Sequence, residues 1–199
     1  IREVHGTRLA FIGMLTPTIP YWLHETLWQG MTFLDIVATT RKWVAHVRQT
    51  EQADVVVGLF HSGFEGGIAG NTGNENAALE TARSVAGIDL ILCGHDHRLR
   101  KATVSAGGKH IDVINPSSNA HYLSESTLHM ARDAHGRSRL TSIDTQLVCM
   151  DNEPVDADFM RRFAPTITQV RRYADREIGS LARTLRTRDC FFGPAPFNS

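Results

Sequence analysis

Leu92-Cys93-Gly94-His95-Asp96-His97 ends a short apolar run with two imidazoles two residues apart, and Val55-Val56-Val57-Gly58-Leu59-Phe60-His61-Ser62-Gly63 repeats that grammar upstream. Each run has the length and β-branched content of a buried strand. Each then delivers histidine, with small residues beside it, where the strand stops. Between them Glu75 to Ala86 reads as a helix, with Asn74 as its N-cap and Glu75 in its first turn. A strand, a helix and a strand of these lengths make a right-handed crossover whose strands lie parallel. In open α/β sheets ligands gather outside the carboxyl ends of parallel strands. The reading therefore puts His61 beside His95 and His97 at one sheet edge.

Imidazole is the commonest protein ligand for a metal ion. A single histidine after a strand is more often a satisfied polar residue than a ligand, but His61, His95 and His97 converging, with Gly63 and Gly94 allowing close approach, point to a metal site. Two roles stand open for Asp96: orienting an imidazole N–H from behind, or simply turning the chain. The spacing also suits one zinc ion held by three histidines with an open fourth position.

Outward from this unit the composition is globular. Of 199 residues 42% are hydrophobic, and 21 basic side chains balance 21 acidic ones. Zero net charge argues against binding nucleic-acid polymers or anionic membranes through bulk charge. No apolar stretch has signal-peptide or membrane-span length. Cys93, Cys149 and Cys190 are scattered and odd in number, so they form neither a disulfide framework nor a metal knuckle.

Thr7 to Leu15 reads as an inner strand, stopped by Pro17 and Pro20. Tyr21 to Met31 is irregular, and its Trp22 and Trp28 read as loop-to-core packing ahead of base stacking. Phe33 to Gln49 has the period of an amphipathic helix. His61 to Asn74, with Gly63, Gly66, Gly67, Gly70 and Gly73, is too glycine-rich for helix or strand and lacks the Gly-Lys-Ser/Thr of a phosphate-binding loop. Residues 101–105 with 109–114, and 121–131 with 138–150, read as antiparallel hairpins that extend or flank the parallel sheet. His110, His121, His129 and His135 belong to these hairpins and read as surface or structural. Asp151-Asn152-Glu153-Pro154 marks a boundary. Beyond it Phe159, Phe163, Ile167, Val170 and Ala174 stripe a helix with arginines opposite and Pro165 as a kink.

Gly94-His95-Asp96-His97 preceded by His61-Ser62-Gly63 resembles the last two sequence blocks of the calcineurin-like metallophosphoesterases, and more closely those of their 5′-nucleotidase and 2′,3′-cyclic nucleotide 2′-phosphodiesterase branch. Residues Val85 to Ile91 resemble the strand that enters the second block. Asn115 to Ala120 resembles a small-residue loop beside the site, and Thr187 to Pro194 the segment leading into a second, nucleotide-specifying domain. The resemblance implies an α/β fold: an incomplete metallophosphoesterase β-sandwich flanked by helices, then a linker helix. It divides the chain into residues 1–150, the C-terminal half of the phosphoesterase domain; 151–185, the linker helix region; and 186–199, the start of a truncated 5′-nucleotidase C-terminal domain.

By the same resemblance His61 and His95 share one of two divalent ions, zinc, manganese or similar, and His97 serves the other. Metal-bound hydroxide would attack the phosphorus of a nucleotide or cyclic nucleotide, with no covalent intermediate. Of the blocks that complete such sites, Gly-Asp-x-x-Asp and Gly-Asn-His-Glu/Asp do not occur in this sequence, and no Asp-x-His precedes His61; Asp133-Ala134-His135 has the spacing but falls in a downstream hairpin turn. The catalytic residues are therefore expected upstream of Ile1, and the residues that choose the substrate mainly outside the chain. The site would be completed by missing portions of the same polypeptide or by a second copy. Two readings follow: the middle portion of a binuclear phosphoesterase, periplasmic or secreted as the resemblance implies, or a noncatalytic truncated module with an assembly or interaction role.

Overall fold

The computed structural model describes residues 1–106 and 108–180. In chain order the strands are β1 (Arg2–Val4), β2 (Thr7–Leu15), β3 (Val55–His61), β4 (Gly66–Gly70), β5 (Gly73–Asn76), β6 (Leu90–Cys93), β7 (Leu99–Ala106), β8 (Lys109–Pro116), β9 (Tyr122–Arg132) and β10 (Ser138–Cys149). The helices are α1 (Ile19–Trp22), α2 (Ile36–Gln49), α3 (Ala78–Ser84) and α4 (Ala157–Ala174). The chain divides into two units, Ile1–Asn152 and Glu153–Ser199. The segment 186–199, expected to open a further domain, lies outside the described residues.

The first unit is organised by a mixed sheet in the order β1-β2-β3-β6-β8-β7. β2, β3, β6 and β8 run parallel, and β1 and β7 close the edges antiparallel. The expected crossover is β3-α3-β6, its strands paired from Val57–Leu90 to Phe60–Cys93. Alternation along β3 feeds two layers. Val56 and Phe60 join Ile36 and Val44 of α2 and Ala78 and Ala82 of α3 in the larger core. Val55 and Val57, with Leu90, face the β9–β10 hairpin through Leu128, Met130, Leu140 and Ile143. That hairpin covers only part of its face. Phe11, Leu15 and Leu59, nearer the carboxyl edge, are 49%, 49% and 43% exposed.

Two local expectations are corrected. The glycine-dense stretch is not all loop, because β4 and β5 pair antiparallel across it with a register shift between Gly66 and Ala69. Glycine weakens a ladder without forbidding one, since the ladder is made by backbone groups. The helix also starts at Ala78, and Asn74 lies on β5, where its amide donates to Glu80 at 3.0 Å. The chain after β3 supplies the acceptors instead: Ser62 Oγ for Ala77 N–H at 3.0 Å, and the carbonyls of Gly63 and Phe64 for the N–H groups of Ala78 and Leu79 at 3.1 and 3.0 Å. These bonds occupy orphan donors of the first turn and dock α3 under the end of β3. α2 is capped by the Asp35 carboxylate, which accepts from Ala38 N–H at 2.7 Å.

In the second unit Asp156 caps α4 by accepting from Phe159 N–H at 2.9 Å. The helix runs on through Pro165, which has no N–H to offer the preceding turn. Phe159 and Phe163, one turn apart, stack with ring centres 4.5 Å apart. Among the described residues no helix is long and apolar enough to cross a membrane.

A buried charge ties the amino ends of the central strands. Asp89, 4% exposed, accepts from Val56 N–H at 2.8 Å, from Lys109 Nζ at 3.2 Å and from the Arg48 guanidinium. Arg48 also donates to the carbonyls of Gly87, Ala53 and Asp54, so the end of α2 is fastened to the entrances of β3 and β6. Removing one member of a buried, hydrogen-bonded ion pair strands the other charge, at a cost of about 3–5 kcal/mol. Asp89→Ala is expected to lower the unfolding free energy in urea by about 3 kcal/mol. Lys109→Ala, which removes a side chain that is 60% exposed, should lower it by less than about 1 kcal/mol. Equal effects in the two denaturation curves would contradict this account.

Candidate metal centre

β3, β6 and β8 end at one edge, and each hands the chain to a turn there. His61 is the last residue of β3, and its carbonyl accepts from Thr16 N–H at 3.0 Å. Gly94 N–H donates to Phe60 at 3.1 Å, carrying the β3–β6 pairing one residue further so that His95 emerges next to His61. The two rings lie edge to face, with centres 5.1 Å apart and planes at 62°. His97 is exposed, and its carbonyl accepts from Ser117 Oγ at 3.0 Å, which brings the loop after β8 to the same place. His95 (φ +83°), His97 (+55°), Ser117 (+70°), Asn119 (+60°) and Ala120 (+56°) all take left-handed conformations. Such conformations in non-glycine residues cost on the order of 1–3 kcal/mol each and concentrate at functional sites.

Asp96 holds these turns together and, among the described residues, makes no hydrogen bond to an imidazole. Its carboxylate accepts from Phe64 N–H at 3.1 Å, from Asn115 Nδ2 at 2.6 Å and from Arg98 N–H at 3.3 Å. The ends of β3, β6 and β8 thus meet on one side chain. Asn115 is fully buried, and its side-chain Oδ1 accepts from Ser117 N–H at 3.0 Å. Gly63 leaves the room for this: a Cβ there would stand 2.5 Å from Asp96 Cγ and 2.6 Å from Asn76 Oδ1.

Two residues at the site escape the sequence reading. Glu75, expected in a helical first turn, lies on β5, with Oε1 2.8 Å from His95 Nε2. Trp22, expected to pack on the core, is 42% exposed and stands over His95 with ring centres 5.2 Å apart. It is put there by α1, which follows the buried Thr16 and Thr18, whose hydroxyls are 2.9 Å apart. Trp28 does pack locally, against Phe33 and by donating to the Leu23 carbonyl at 3.1 Å. The one sequence clue to Glu75 is a carboxylate set directly after a glycine-dense turn. His110, His121, His129 and His135 are exposed, and His121 and His129 pair with Asp151 and Asp144 at 2.6 and 2.8 Å.

The donors suit a divalent ion in kind. With metal–nitrogen bonds of about 2.0–2.1 Å, two imidazoles on one tetrahedral ion have ring centres roughly 5 Å apart, the spacing of His61 and His95. In number they fall short, since among the described residues no group of three or more His, Cys, Asp or Glu side chains is placed to hold a metal ion. A structural zinc takes four ligands, so further groups are needed to complete one.

No protein-family model matches the chain. It is 32% identical over 126 residues to the trifunctional nucleotide phosphoesterase protein YfkN of Bacillus subtilis, a match covering 58% of this chain and 8% of that protein. It is 28% identical over 196 residues to the 2′,3′-cyclic-nucleotide 2′-phosphodiesterase/3′-nucleotidase of Haemophilus influenzae, covering 89% of this chain and 29% of that one. The chain thus spans less than a third of the length of these curated relatives. Among solved structures, the calcineurin-like phosphoesterase YfkN superposes with a TM-score of 0.69 at 24% identity, over 83% of this chain and 52% of that one. A putative 5′-nucleotidase from Staphylococcus aureus gives 0.63 at 20% identity, over 98% and 38%. The chain is a distant homologue of these proteins and has the phosphoesterase and nucleotidase fold.

His61 holds a proton less well than an ordinary imidazole, because partial burial disfavours the cation and the neighbouring His95 and His97 repel it. With the folded value below the unfolded one of about 6.5, the unfolded chain takes up the proton first as the pH falls. The group's share of stability is therefore complete above about pH 6.5 and is lost as the pH drops through the folded value. In an NMR titration the ring proton of His61 is expected to show a midpoint below about 6.5 that moves upward in His95→Ala. A wild-type midpoint at or above the ordinary value would contradict the geometry.

Proposed function

We propose that this chain, a distant homologue of nucleotide phosphoesterases, supplies the His61, His95 and His97 edge of a metal-dependent site that hydrolyses nucleotides or 2′,3′-cyclic nucleotides. The observation that carries the reading is the side-by-side placement of His61 and His95 across the ends of two paired parallel strands, 5.1 Å apart. Neutral imidazoles keep their lone pairs for an ion, and the lowered proton affinity of His61 favours that form near neutral pH. Divalent ions bound there, zinc or manganese by ligand type, would polarise the phosphate ester and lower the pKa of a bound water.

In this reading the histidines act as ligands and transfer no proton. Asp96 keeps the three turns in register, and Trp22 presents an exposed aromatic face to whatever occupies the site. The exposed Phe11, Leu15 and Leu59 lie on the face of the sheet from which His61 emerges, which supports a further layer packing there with the remaining ligands. Residues 1–150 are then part of a phosphoesterase domain and 151–185 a linker. The location proposed with this function is periplasmic or secreted. The same uncovered face also suits the second reading, a noncatalytic module that docks on a partner.

The test is hydrolysis of 2′,3′-cyclic AMP and bis(p-nitrophenyl) phosphate by the protein carrying this segment, with manganese or zinc added and then removed by chelation. Turnover is expected to require metal and to fall at least about 100-fold in His95→Ala, the upper end of what loss of a group supporting a metal ligand costs, since here the ligand itself is removed. A folded protein without turnover under any metal would favour the docking module. Turnover indifferent to His95 would place the chemistry elsewhere.

A further inference from the structure

We propose that Glu75 is the positioning residue that locks His95 as its Nε2–H tautomer, leaving Nδ1 as the nitrogen with a free lone pair. The inference begins with two hydrogen bonds to one carboxylate. Oε1 of Glu75 lies 2.8 Å from His95 Nε2, and Oε2 accepts from Ile68 N–H at 2.6 Å. The Glu75 backbone carbonyl also accepts from Ser62 Oγ at 2.8 Å, so side chain and backbone are both anchored. A carboxylate oxygen only accepts, and a neutral imidazole has one N–H and one lone pair. Nε2 must therefore carry the proton and Nδ1 the lone pair.

The seat for this carboxylate is built into the hairpin. Gly67 (φ +79°) lies under it, and a Cβ there would collide with the Glu75 carboxylate and come within 2.7 Å of Asn76 Nδ2. Both backbone angle and space thus exclude a side chain at that position. The two partners are shielded alike, with side chains 17% and 16% exposed, and Trp22 covers His95 on another side. A metal-binding histidine held from behind by a carboxylate has a fixed tautomer and ring orientation. An ion at His95 is then taken through Nδ1. This last step rests on the proposed function, whereas the tautomer does not.

The experiment is long-range proton–nitrogen NMR on the nitrogen-15-labelled protein at about pH 8, above the ordinary imidazole range. His95 is assigned by its disappearance in His95→Gln. Wild type is expected to show the Nε2–H tautomer. Glu75→Gln has nearly the same shape but gives a sharp contrast. Ile68 N–H can only donate, so the carboxamide turns its oxygen to Ile68 and its NH2 to His95, and Nε2 must then accept. The tautomer is expected to switch to Nδ1–H, and zinc affinity measured by calorimetry to fall about 10–100-fold. Glu75→Ala should give a mixture of tautomers.

Wild-type Nδ1–H would overturn the proposal even if no Glu75 variant folds. So would a folded Glu75→Gln protein, checked by circular dichroism, that keeps Nε2–H. A tautomer switch in a protein that hydrolyses no phosphate ester would leave this inference standing and remove the functional reading.

Discussion

The Asp96 carboxylate accepts from the Phe64 backbone, the Asn115 side chain and the Arg98 backbone, and the arrangement of the whole edge follows from that one convergence. Three turns from three parallel strands would otherwise wander independently, because loop backbone has few bonds of its own to satisfy. With Asp96 in place, Asn115 can be fully buried, Gly63 must lack a side chain, and His95 and His97 are held in left-handed conformations on either side of the clamp. Buried or half-buried donors that lost this acceptor would each forfeit about 1–3 kcal/mol. The strain of the flanking histidines persists because the clamp and its partners over-determine it.

The opposite edge of the sheet does different work. There Asp89 and Arg48 fasten α2 to the entrances of β3 and β6, and the β-branched residues between the two edges fill both layers. The frame is rigid where the strands begin and left-handed where they end. That polarity suits a site that must hold imidazoles against their own repulsion, since a stiff sheet can carry a strained rim. The partly uncovered face bearing Phe11, Leu15 and Leu59 belongs to the same end.

Much of this was legible in the chain. Val55 to Phe60 and Leu90 to Cys93 are apolar runs too short for helices, and the stretch between them is long enough for a crossover, so a parallel pair with histidines at its carboxyl end follows from local pattern. Thr7–Leu15 and the two hairpins are similarly local, since alternation and turn residues announce them. The start of α3 was misplaced because its capping acceptors are Ser62, Gly63 and Phe64, some fifteen residues back, while Asn74 merely has the chemistry of a cap. The β4–β5 hairpin was missed because its ladder is made by glycine backbone, which leaves no side-chain pattern to read.

The sequence by itself determined the α/β class, the parallel strand pair and the meeting of His61 with His95, because period, length and chirality are properties of short stretches. Only the tertiary structure decided that Asp96 clamps backbone in place of serving an imidazole, that Glu75 stands behind His95, and that Trp22 covers it. Each of those pairings joins residues about twenty to seventy positions apart through a single hydrogen bond or ring contact. The geometry of such a contact is set by how turns from different strands are packed, and no periodicity within either turn encodes it.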